Sequence, residues 1–219
     1  MTSTRQSYNH DLEELRNEIL DMGTRVELAI GQAVASLTTQ DIEMAKLVMA
    51  GDDTIDQMES DIEDKCMVLI ARQQPLARDL RIIGTGLKIT TDLERVGDHA
   101  FDIAKITLSI AGQPLIKPLV DIPRMSAMAQ KMLRDSLVAY INLDTALAER
   151  VCADDDEVDD LYHQTFRELL TYMMEDPRNI SQATQLLFVA RYLERVADHA
   201  TNIGEWVIYL ATGQRMRKN

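Results

Sequence analysis

One eight-residue stretch occurs twice in the chain, and it constrains the fold more than any other sequence feature. The stretch reads LERVGDHA at residues 93–100 and LERVADHA at residues 193–200, so seven of its eight positions are identical. A chance match of this length, carrying two acids, an arginine and a histidine, is improbable. Self-similarity at a fixed spacing is typical of repeat architectures. The chain is therefore predicted to contain two copies of one structural unit.

The repeat extends upstream of this stretch with a slightly different spacing. Corresponding positions there are 103 residues apart, against 100 in the repeated stretch itself. The spacing changes between Asp56 and Leu93, where we expect one copy to have a shortened hairpin. The corresponding positions are Asp41, Ala45, Val48, Asp52, Asp53, Ile55 and Asp56 in the first copy, and Asp144, Ala148, Val151, Asp155, Asp156, Val158 and Asp159 in the second.

The composition and the hydrophobic pattern predict an all-α fold. The 219 residues include only five prolines and nine glycines, and apolar residues recur at spacings of three and four. Asp41 and Asp144 are suited to cap helix N-termini. The predicted helices cover about 11–37, 41–74, 75–112, 122–141, 144–176 and 177–213.

Short connections between these helices favour antiparallel neighbours. Each half is therefore predicted to be an up-down-up three-helix bundle with its own core. The first repeat is assigned to residues 1–117 and the second to residues 118–219.

The net charge and the absence of long apolar runs limit the classes of function that the chain can have. A net charge of −13 with a pI near 4.7 argues against a nucleic-acid-binding protein with a general basic surface. No apolar run approaches the length of a membrane span, so we expect a cytoplasmic protein that meets membranes only through partners. The two cysteines, Cys66 and Cys152, lack zinc-ligand spacing and are interpreted as core thiols.

The repeated stretch carries a carboxylate pair on each of two helices. Glu94 and Asp98, like Glu194 and Asp198, are four residues apart and so lie on one helix face, away from the apolar stripe. A third acid, Asp102, extends this face in the first copy but is replaced by Asn202 in the second.

Folding each hairpin back on itself brings a second acid pair level with the first. Around the turn at Pro75, Asp52 and Asp56 come opposite Glu94 and Asp98. In the second copy, Asp155 and Asp159 come opposite Glu194 and Asp198. We therefore expect each half to gather four outward-facing carboxylates in one surface groove.

Four clustered carboxylates repel one another, at roughly 0.7 kcal/mol per pair in water-like surroundings at about 6 Å and about 3 kcal/mol at an effective dielectric of 20. A bound cation reverses that sign, so the pattern predicts two metal sites. Oxygen-only ligands suit Mg, Mn, Fe or Ca rather than a structural zinc, and the choice among divalent or trivalent Fe, Mn, Mg, Zn and Ca stays open. The alternative is a solvated acidic face paired with Arg95 and Arg195.

Other chemistries have weaker support. His99 and His199 point away from the acidic face and are interpreted as core histidines, although a histidine phosphotransfer bundle is a further alternative. Ferritin-like di-iron bundles use a Glu-x-x-His spacing that is absent here. No phosphate-binding loop, HExxH motif or nucleophile elbow is present, so no catalytic residue is assigned.

With these residues in view, the chain resembles the PhoU family of bacterial phosphate-transport accessory and regulatory proteins over nearly its full length. The family motifs stand here as Glu94 to Asp98, Glu194 to Asp198, and a Gln-Pro-x-x-x-Asp-Leu-Arg segment at residues 74–81. The last segment has no counterpart before the sixth helix. That asymmetry, with Asn202, allows the two metal sites to differ in nuclearity or occupancy.

The resemblance implies two three-helix bundles with surface metal clusters and a non-catalytic role. It implies negative regulation of the phosphate-starvation response, in which the protein couples the ATPase of the phosphate ABC importer to a sensor histidine kinase and modulates phosphate uptake. A homodimer is expected as well. The alternative from another class is a metal-dependent hydrolase or a metal-storage helical protein.

Overall fold

The computed structural model describes residues 2–215, with the side chains of 8–72 and 74–215. Within residues 2–215 there are six α-helices, one short 3-10 helix and no strand. The helices are α1 Thr2–Thr39, α2 Ile42–Gln73, α3 Ala77–Ile110, α4 Asp121–Asn142, α5 Thr145–Glu175 and α6 Ile180–Thr212, and the 3-10 turn Pro177–Asn179 precedes α6.

Each half is a three-helix bundle, as the sequence predicts. In the first half α1, α2 and α3 contact one another, and in the second half α4, α5 and α6 do the same. The predicted helix boundaries agree to within a few residues, except that α1 begins at Thr2 rather than near Asp11. Its N-terminal turns lack the apolar stripe that marks the rest of the helix.

The two halves use the same turn between their first two helices. Gln40 and Leu143 both have left-handed backbone conformations, with φ of 54° and 53°. The following Asp41 and Asp144 then cap the next helix, each accepting a hydrogen bond from a backbone N–H three residues later at 3.0 Å. These matching caps show that the repeat extends to local backbone geometry.

The halves pack side by side through α3 against α6 and α1 against α4. His99 of α3 contacts Tyr192 of α6, and His199 of α6 contacts Asp92 of α3. Positions 92 and 192 correspond in the repeat, as do 99 and 199. The α3 and α6 helices therefore run antiparallel across a pseudo-twofold axis that passes between the two histidines.

Helices α1 and α4 approach closely where α1 carries glycine. A Cβ on Gly23 would overlap Leu137, and one on Gly31 would lie 2.8 Å from the side-chain oxygen of Gln130. An ion pair between Glu27 of α1 and Arg134 of α4 lies between these two contacts. The absence of a Cβ at two positions eight residues apart permits this approach.

The buried apolar side chains form one core cluster that includes residues from both halves. The phenol ring of Tyr140 on α4 is fully buried, and its oxygen lies 4.0 Å from the place that a Cβ on Gly86 of α3 would take. The halves therefore share their interior. None of the helices described is long and apolar enough to cross a membrane.

The connection between the halves is tied to α6. The side chain of Gln182 accepts a hydrogen bond from the backbone N–H of Ile116 at 2.7 Å and donates one to the carbonyl of Pro114 at 3.1 Å. Nearby, the ammonium group of Lys117 pairs with Glu168 and Asp121. Gln182 is only 5% exposed, so these bonds are shielded from water and hold the segment against the second bundle.

Candidate metal sites on the two acidic faces

The first acidic cluster lies between α2 and α3, where the hairpin fold-back places it. Asp52 Oδ1 is 3.6 Å from the position that a Cβ on Gly97 would occupy, so this carboxylate lies directly against the backbone of α3. The charges of Asp56, Asp98 and Asp102 all act on the Asp52 carboxyl. The structure therefore brings the predicted acid pairs of α2 and α3 together.

Burial and mutual repulsion make these carboxylates harder to ionise. The pKa of Asp52 is raised to about 6, first by burial and then by the charges of Asp56 and Asp98. The pKa of Glu94 is raised to about 7 by burial and by Asp98, against a smaller lowering by Arg95. Each shift shows that the cluster holds its negative charge at an energetic cost that a cation would relieve.

Glu59 belongs to this cluster, although the sequence analysis did not assign it. Its carboxyl pKa is raised by burial and by the charges of Glu63, Asp56 and Asp98, against a lowering by Arg95. Glu59 lies three residues after Asp56 on α2, so helical spacing alone could have added it to the acidic face. The first cluster thus comprises Asp52, Asp56, Glu59, Glu94, Asp98 and Asp102.

The second acidic cluster lies between α5 and α6 and is more buried than the sequence analysis expected. Asp155 is 4% exposed and Glu194 is 8% exposed, so neither faces outward into a surface groove. The pKa of Glu194 is raised to about 7 by burial and then by the charges of Asp198 and Asp159, while Arg191 opposes the shift. Periodicity gave the correct helix faces but not the depth at which these two carboxyls lie.

Arginine side chains pair with part of each cluster. Arg95 lies 3.3 Å from Glu94 Oε2 and 3.0 Å from Asp98 Oδ2. In the second cluster Arg195 lies 3.6 Å from Asp98's counterpart, Asp198, and Arg191 pairs with Glu194. The solvated-face alternative predicted such pairs. In the first cluster, however, a single guanidinium pairs with a face that holds six carboxylates.

The donor chemistry of both clusters suits a hard cation. Glu94 Oε2 and Glu194 Oε2 are buried oxygens that accept no hydrogen bond from any described residue, although Arg95 forms an ion pair with Glu94 Oε2 at 3.3 Å. Buried carboxylate oxygens of this kind are costly unless a donor or a metal satisfies them. Among the residues described, no group of three or more His, Cys, Asp or Glu side chains already has a geometry that could hold a metal ion. The eight predicted ligands, Asp52, Asp56, Glu94, Asp98, Asp155, Asp159, Glu194 and Asp198, therefore remain a prediction.

The two histidines of the repeat lie between α3 and α6 rather than on the acidic faces. The ring of His99 stacks on Tyr192 with centroids 5.4 Å apart, and the centroids of the two imidazoles are 5.8 Å apart. Burial is the main reason that the pKa of His99 falls to about 4. His199 Nδ1 is 2.9 Å from Asp92 Oδ1. This placement supports the structural interpretation of both histidines and disfavours phosphotransfer through them.

The fold and the acidic faces together define a class of proteins: duplicated three-helix bundles with a carboxylate cluster between the last two helices of each repeat. Comparison with known proteins then gives the family. The sequence model of the PhoU domain matches twice, at residues 19–107 and 122–207. The chain belongs to the PhoU family.

Curated relatives match over almost the whole chain. A protein of Clostridium acetobutylicum is 45% identical over 217 residues, which is 99% of both chains. One of Aquifex aeolicus is 48% identical over 93% of this chain and 92% of its own. Both are named phosphate-specific transport system accessory protein PhoU homologs.

Solved structures agree with the fold. The crystal structure of PhoU from Pseudomonas aeruginosa superimposes with a TM-score of 0.91 at 40% identity, covering 94% of this chain and 100% of that one. The phosphate transport system regulatory protein PhoU from Streptococcus pneumoniae gives a TM-score of 0.89 at 32% identity, with coverages of 96% and 100%. The six-helix architecture is thus shared by crystal structures of this family.

Proposed function

We propose that this chain is a non-catalytic accessory protein of phosphate-specific transport and a negative regulator of the phosphate-starvation response. When phosphate is ample, it couples the ATPase of the phosphate ABC importer to a sensor histidine kinase and keeps the response off. It acts in the cytoplasm as a homodimer, and it reaches the membrane only through these partners. Relatives that are named as accessory proteins of phosphate transport support this assignment.

The acidic clusters are the observation that supports a regulatory surface with bound cations. Carboxylates from α2 and α3, and again from α5 and α6, are held together although burial and repulsion raise their pKa values to about 6 or 7. Divalent or trivalent ions at these faces would be held by Glu94, Asp98, Asp52 and Asp56, and by Glu194, Asp198, Asp155 and Asp159. A bound cation supplies positive charge that fixes the relative position of two helices in each hairpin.

A rigid helical surface suits docking better than chemistry. Large apolar side chains are exposed on helix faces outside the core, including Leu47 at 72% and Leu28 at 60% on neighbouring helices of the first half. Exposed apolar residues on paired helices are common at protein interaction surfaces. They support docking to the importer's ATPase and to the kinase's cytoplasmic part.

The direct test is expression of a phosphate-repressed gene in abundant phosphate, in a strain that lacks this protein. Derepression that the wild-type chain reverses supports the regulator. Unchanged repression in the deletion strain overturns it and favours the metal-storage or hydrolase alternative, which predicts metal accumulation or a turnover that Asp98→Asn abolishes.

The cation's part in regulation is tested in the same strain with Glu94→Gln/Asp98→Asn. The matched control is Glu43→Gln/Asp61→Asn, which removes two exposed acids of α2 that do not perturb the cluster. We expect the first variant to lose bound metal and to restore repression less well than the control. Equal metal content in protein purified without chelator contradicts the metal sites while leaving the regulator intact.

A further inference from the structure

A cleft of about 560 Å³ lies where the beginning of α3 meets the end of α6, away from both acidic faces. Antiparallel packing of these helices brings residues 77–88 beside residues 206–215. The volume falls in the range of small-molecule sites, which is about 300–1,000 Å³. The lining includes three cations, two aromatic rings and a threonine, and these are Arg81, Lys88, Arg215, Trp206, Tyr209 and Thr85.

The three cations of the cleft stand out on a chain whose net charge is −13. In the part of the chain that the structure describes, neither Arg81 nor Lys88 pairs with a carboxylate. Arg215 lies over aromatic rings instead, with its guanidinium carbon 5.0 Å from the centroid of Trp206 and 5.7 Å from that of Tyr209. The guanidinium forks and the ammonium group are thus available to an anion.

Both helices also give the cleft apolar or aromatic groups beside its cations. Trp206 and Tyr209 meet edge to face, with ring centroids 5.9 Å apart at 81°. Leu80 adds an aliphatic side chain that is 46% exposed. A ligand that fills this space must therefore combine negative charge with a flat or apolar group.

Two further details show that the cleft is built into the helix packing. A Cβ on Gly213, whose φ is +76°, would overlap Nη1 of Arg81, so the left-handed glycine that ends α6 leaves room for this guanidinium. Thr85 is 1% exposed, and its hydroxyl has no hydrogen-bond partner among the described residues. The hydroxyl oxygen is enclosed by protein, so a polar ligand atom reaches it only if a neighbouring side chain moves.

The pseudo-twofold axis supplies an internal comparison. The equivalent place, where the beginning of α6 meets the end of α3, has Ser181, Phe188, Ile106 and Ser109 at the positions of Arg81, Lys88, Trp206 and Tyr209. Two of the three cations and both rings are therefore missing from the other copy. Arg81 also belongs to the Asp-Leu-Arg segment that only the first repeat contains. The fold does not require this combination, because the other copy packs without it.

We propose that this cleft binds a nucleoside polyphosphate, with its phosphates on Arg81, Lys88 and Arg215. Its base lies against Trp206 and Tyr209, so the Arg215 guanidinium moves from these rings to the phosphates when the nucleotide binds. A single phosphate ion would leave most of the volume and both rings unused. A plain aromatic compound would leave three cations unmatched. A nucleotide satisfies both sides of the cleft.

The test uses Trp206, the only tryptophan of the chain, as a fluorescent reporter inside the cleft. ATP, tripolyphosphate and adenosine are each titrated into the full-length protein, with excitation at the red edge of the indole absorption. EDTA is present throughout, so that no metal ion at the acidic faces can bridge to phosphate. We expect saturable quenching by ATP, with at least tenfold weaker binding of tripolyphosphate and of adenosine.

Charge reversal provides the second measurement. Lys88→Glu and Arg215→Glu should each weaken ATP binding at least tenfold, while Lys105→Glu on the same helix should leave it unchanged. Lys105 is exposed, and 17 residues along an α-helix separate it from Lys88 by about 25 Å. Trp206→Leu should also weaken ATP binding. Because this variant lacks the fluorescent reporter, its binding is measured by calorimetry.

Each outcome has a definite meaning. Equal affinity for tripolyphosphate and ATP overturns the role of the rings, and equal affinity for adenosine and ATP overturns the role of the cations. No binding of ATP, or equal losses in the Lys88→Glu and Lys105→Glu variants with unchanged circular dichroism, overturns the proposal. The ATP-binding test is independent of the phosphate-response assay. The Glu94→Gln/Asp98→Asn variant, which tests the metal sites in that assay, should bind ATP like the wild type.

Discussion

The two halves share one scaffold but differ in the charge on equivalent faces. Three positions that carry Glu59, Glu63 and Asp102 in the first half carry other residues in the second. Their counterparts are Tyr162, Phe166 and Asn202. The first half therefore has a denser acidic face, and the second has aromatic groups next to a smaller one.

The halves also differ in how they neutralise the equivalent glutamates. Glu94 has Arg95 as its cationic neighbour, whereas Glu194 pairs with Arg191, whose counterpart in the first half is the uncharged Thr91. Arg191 also lies over the ring of Tyr162, at 5.7 Å from its centroid. The second half therefore supplies more of its own positive charge, so we expect the first half to depend more on a cation from solution.

The largest expected difference between the two halves is in the amount of metal that each binds. We expect Glu94→Gln/Asp98→Asn to remove more bound metal than Glu194→Gln/Asp198→Asn does, because more carboxylates of the first half face a single arginine. The measurement is elemental analysis of both variants purified side by side without chelator. Equal losses would mean that the extra acids of the first half do not contribute to metal binding.

A helix contact should give the next largest effect. A Cβ on Gly97 would lie 3.1 Å from Ile55 Cγ2, so Gly97→Leu should push α2 from α3 and destabilise the fold by about 2 to 3 kcal/mol.

The control for this contact is Gly51→Ala on α2, where nothing lies within 4 Å of the added methyl group. That change should stabilise the protein by about 0.5 to 1 kcal/mol through helix propensity. Urea unfolding of the metal-free proteins measures both changes. If Gly97→Leu leaves the unfolding free energy unchanged, α2 can move away from α3 at the acidic face without an energetic cost.

The pH dependence of the metal-free protein should follow the raised carboxyl pKa values. Glu94 and Glu194 both titrate near 7 in the folded chain against an ordinary 4.5. Because the folded state binds these two protons more tightly, their contribution to stability is complete below about pH 4.5 and is lost as the pH rises through about 7. His99 acts in the opposite direction, since burial lowers its pKa to about 4 and its contribution is gained as the pH rises from about 4 to 6.5. The two glutamates together should lower the unfolding free energy by on the order of 2 kcal/mol over this range.

Single variants divide this pH effect between the halves. Glu94→Gln and Glu194→Gln should each reduce the loss of stability with rising pH in chelator, and saturating metal should do the same in the wild type. If the difference in unfolding free energy between the wild type and each variant stays constant between pH 5 and 7, the proposed repulsion does not control the titration.

The smallest predicted effects concern the axis between the halves. Asp92→Ala removes the hydrogen bonds to His199 and Asn202, at 2.9 and 3.2 Å, and should cost about 1 kcal/mol. Tyr192→Leu removes the stacking on His99 and should cost about 0.5 to 1 kcal/mol. Thermal unfolding measures both, and a loss well above 2 kcal/mol for either would show that the axis depends on that single contact.

The sequence was sufficient for the helices and for the facing acid pairs because both depend on local periodicity and on the position of a turn. Asp41 and Asp144 cap helices as predicted, and Gly213 ends α6. The depth of Asp155 and Glu194 was not predictable, since a small rotation of a helix about its axis decides whether a flanking residue is buried.

The packing of one half on the other was also beyond the sequence pattern. The closeness of His99 to Tyr192, and of Arg81 to Gly213, depends on the antiparallel arrangement of α3 and α6. Residues more than 90 positions apart contact one another there, and no repeat or motif indicates which faces will meet. The nucleotide cleft was missed for this reason.

The pseudo-twofold axis between His99 and His199 has a consequence for the origin of the chain. Contacts of the kind that position 99 makes with 192, and 199 with 92, are those of an isologous interface, in which the same surface is used on both sides. A gene for one half alone could have formed this molecule as a homodimer of identical chains. Fusion of two such copies then freed each position to mutate separately, which is how one half could gain a tyrosine where the other has an aspartate.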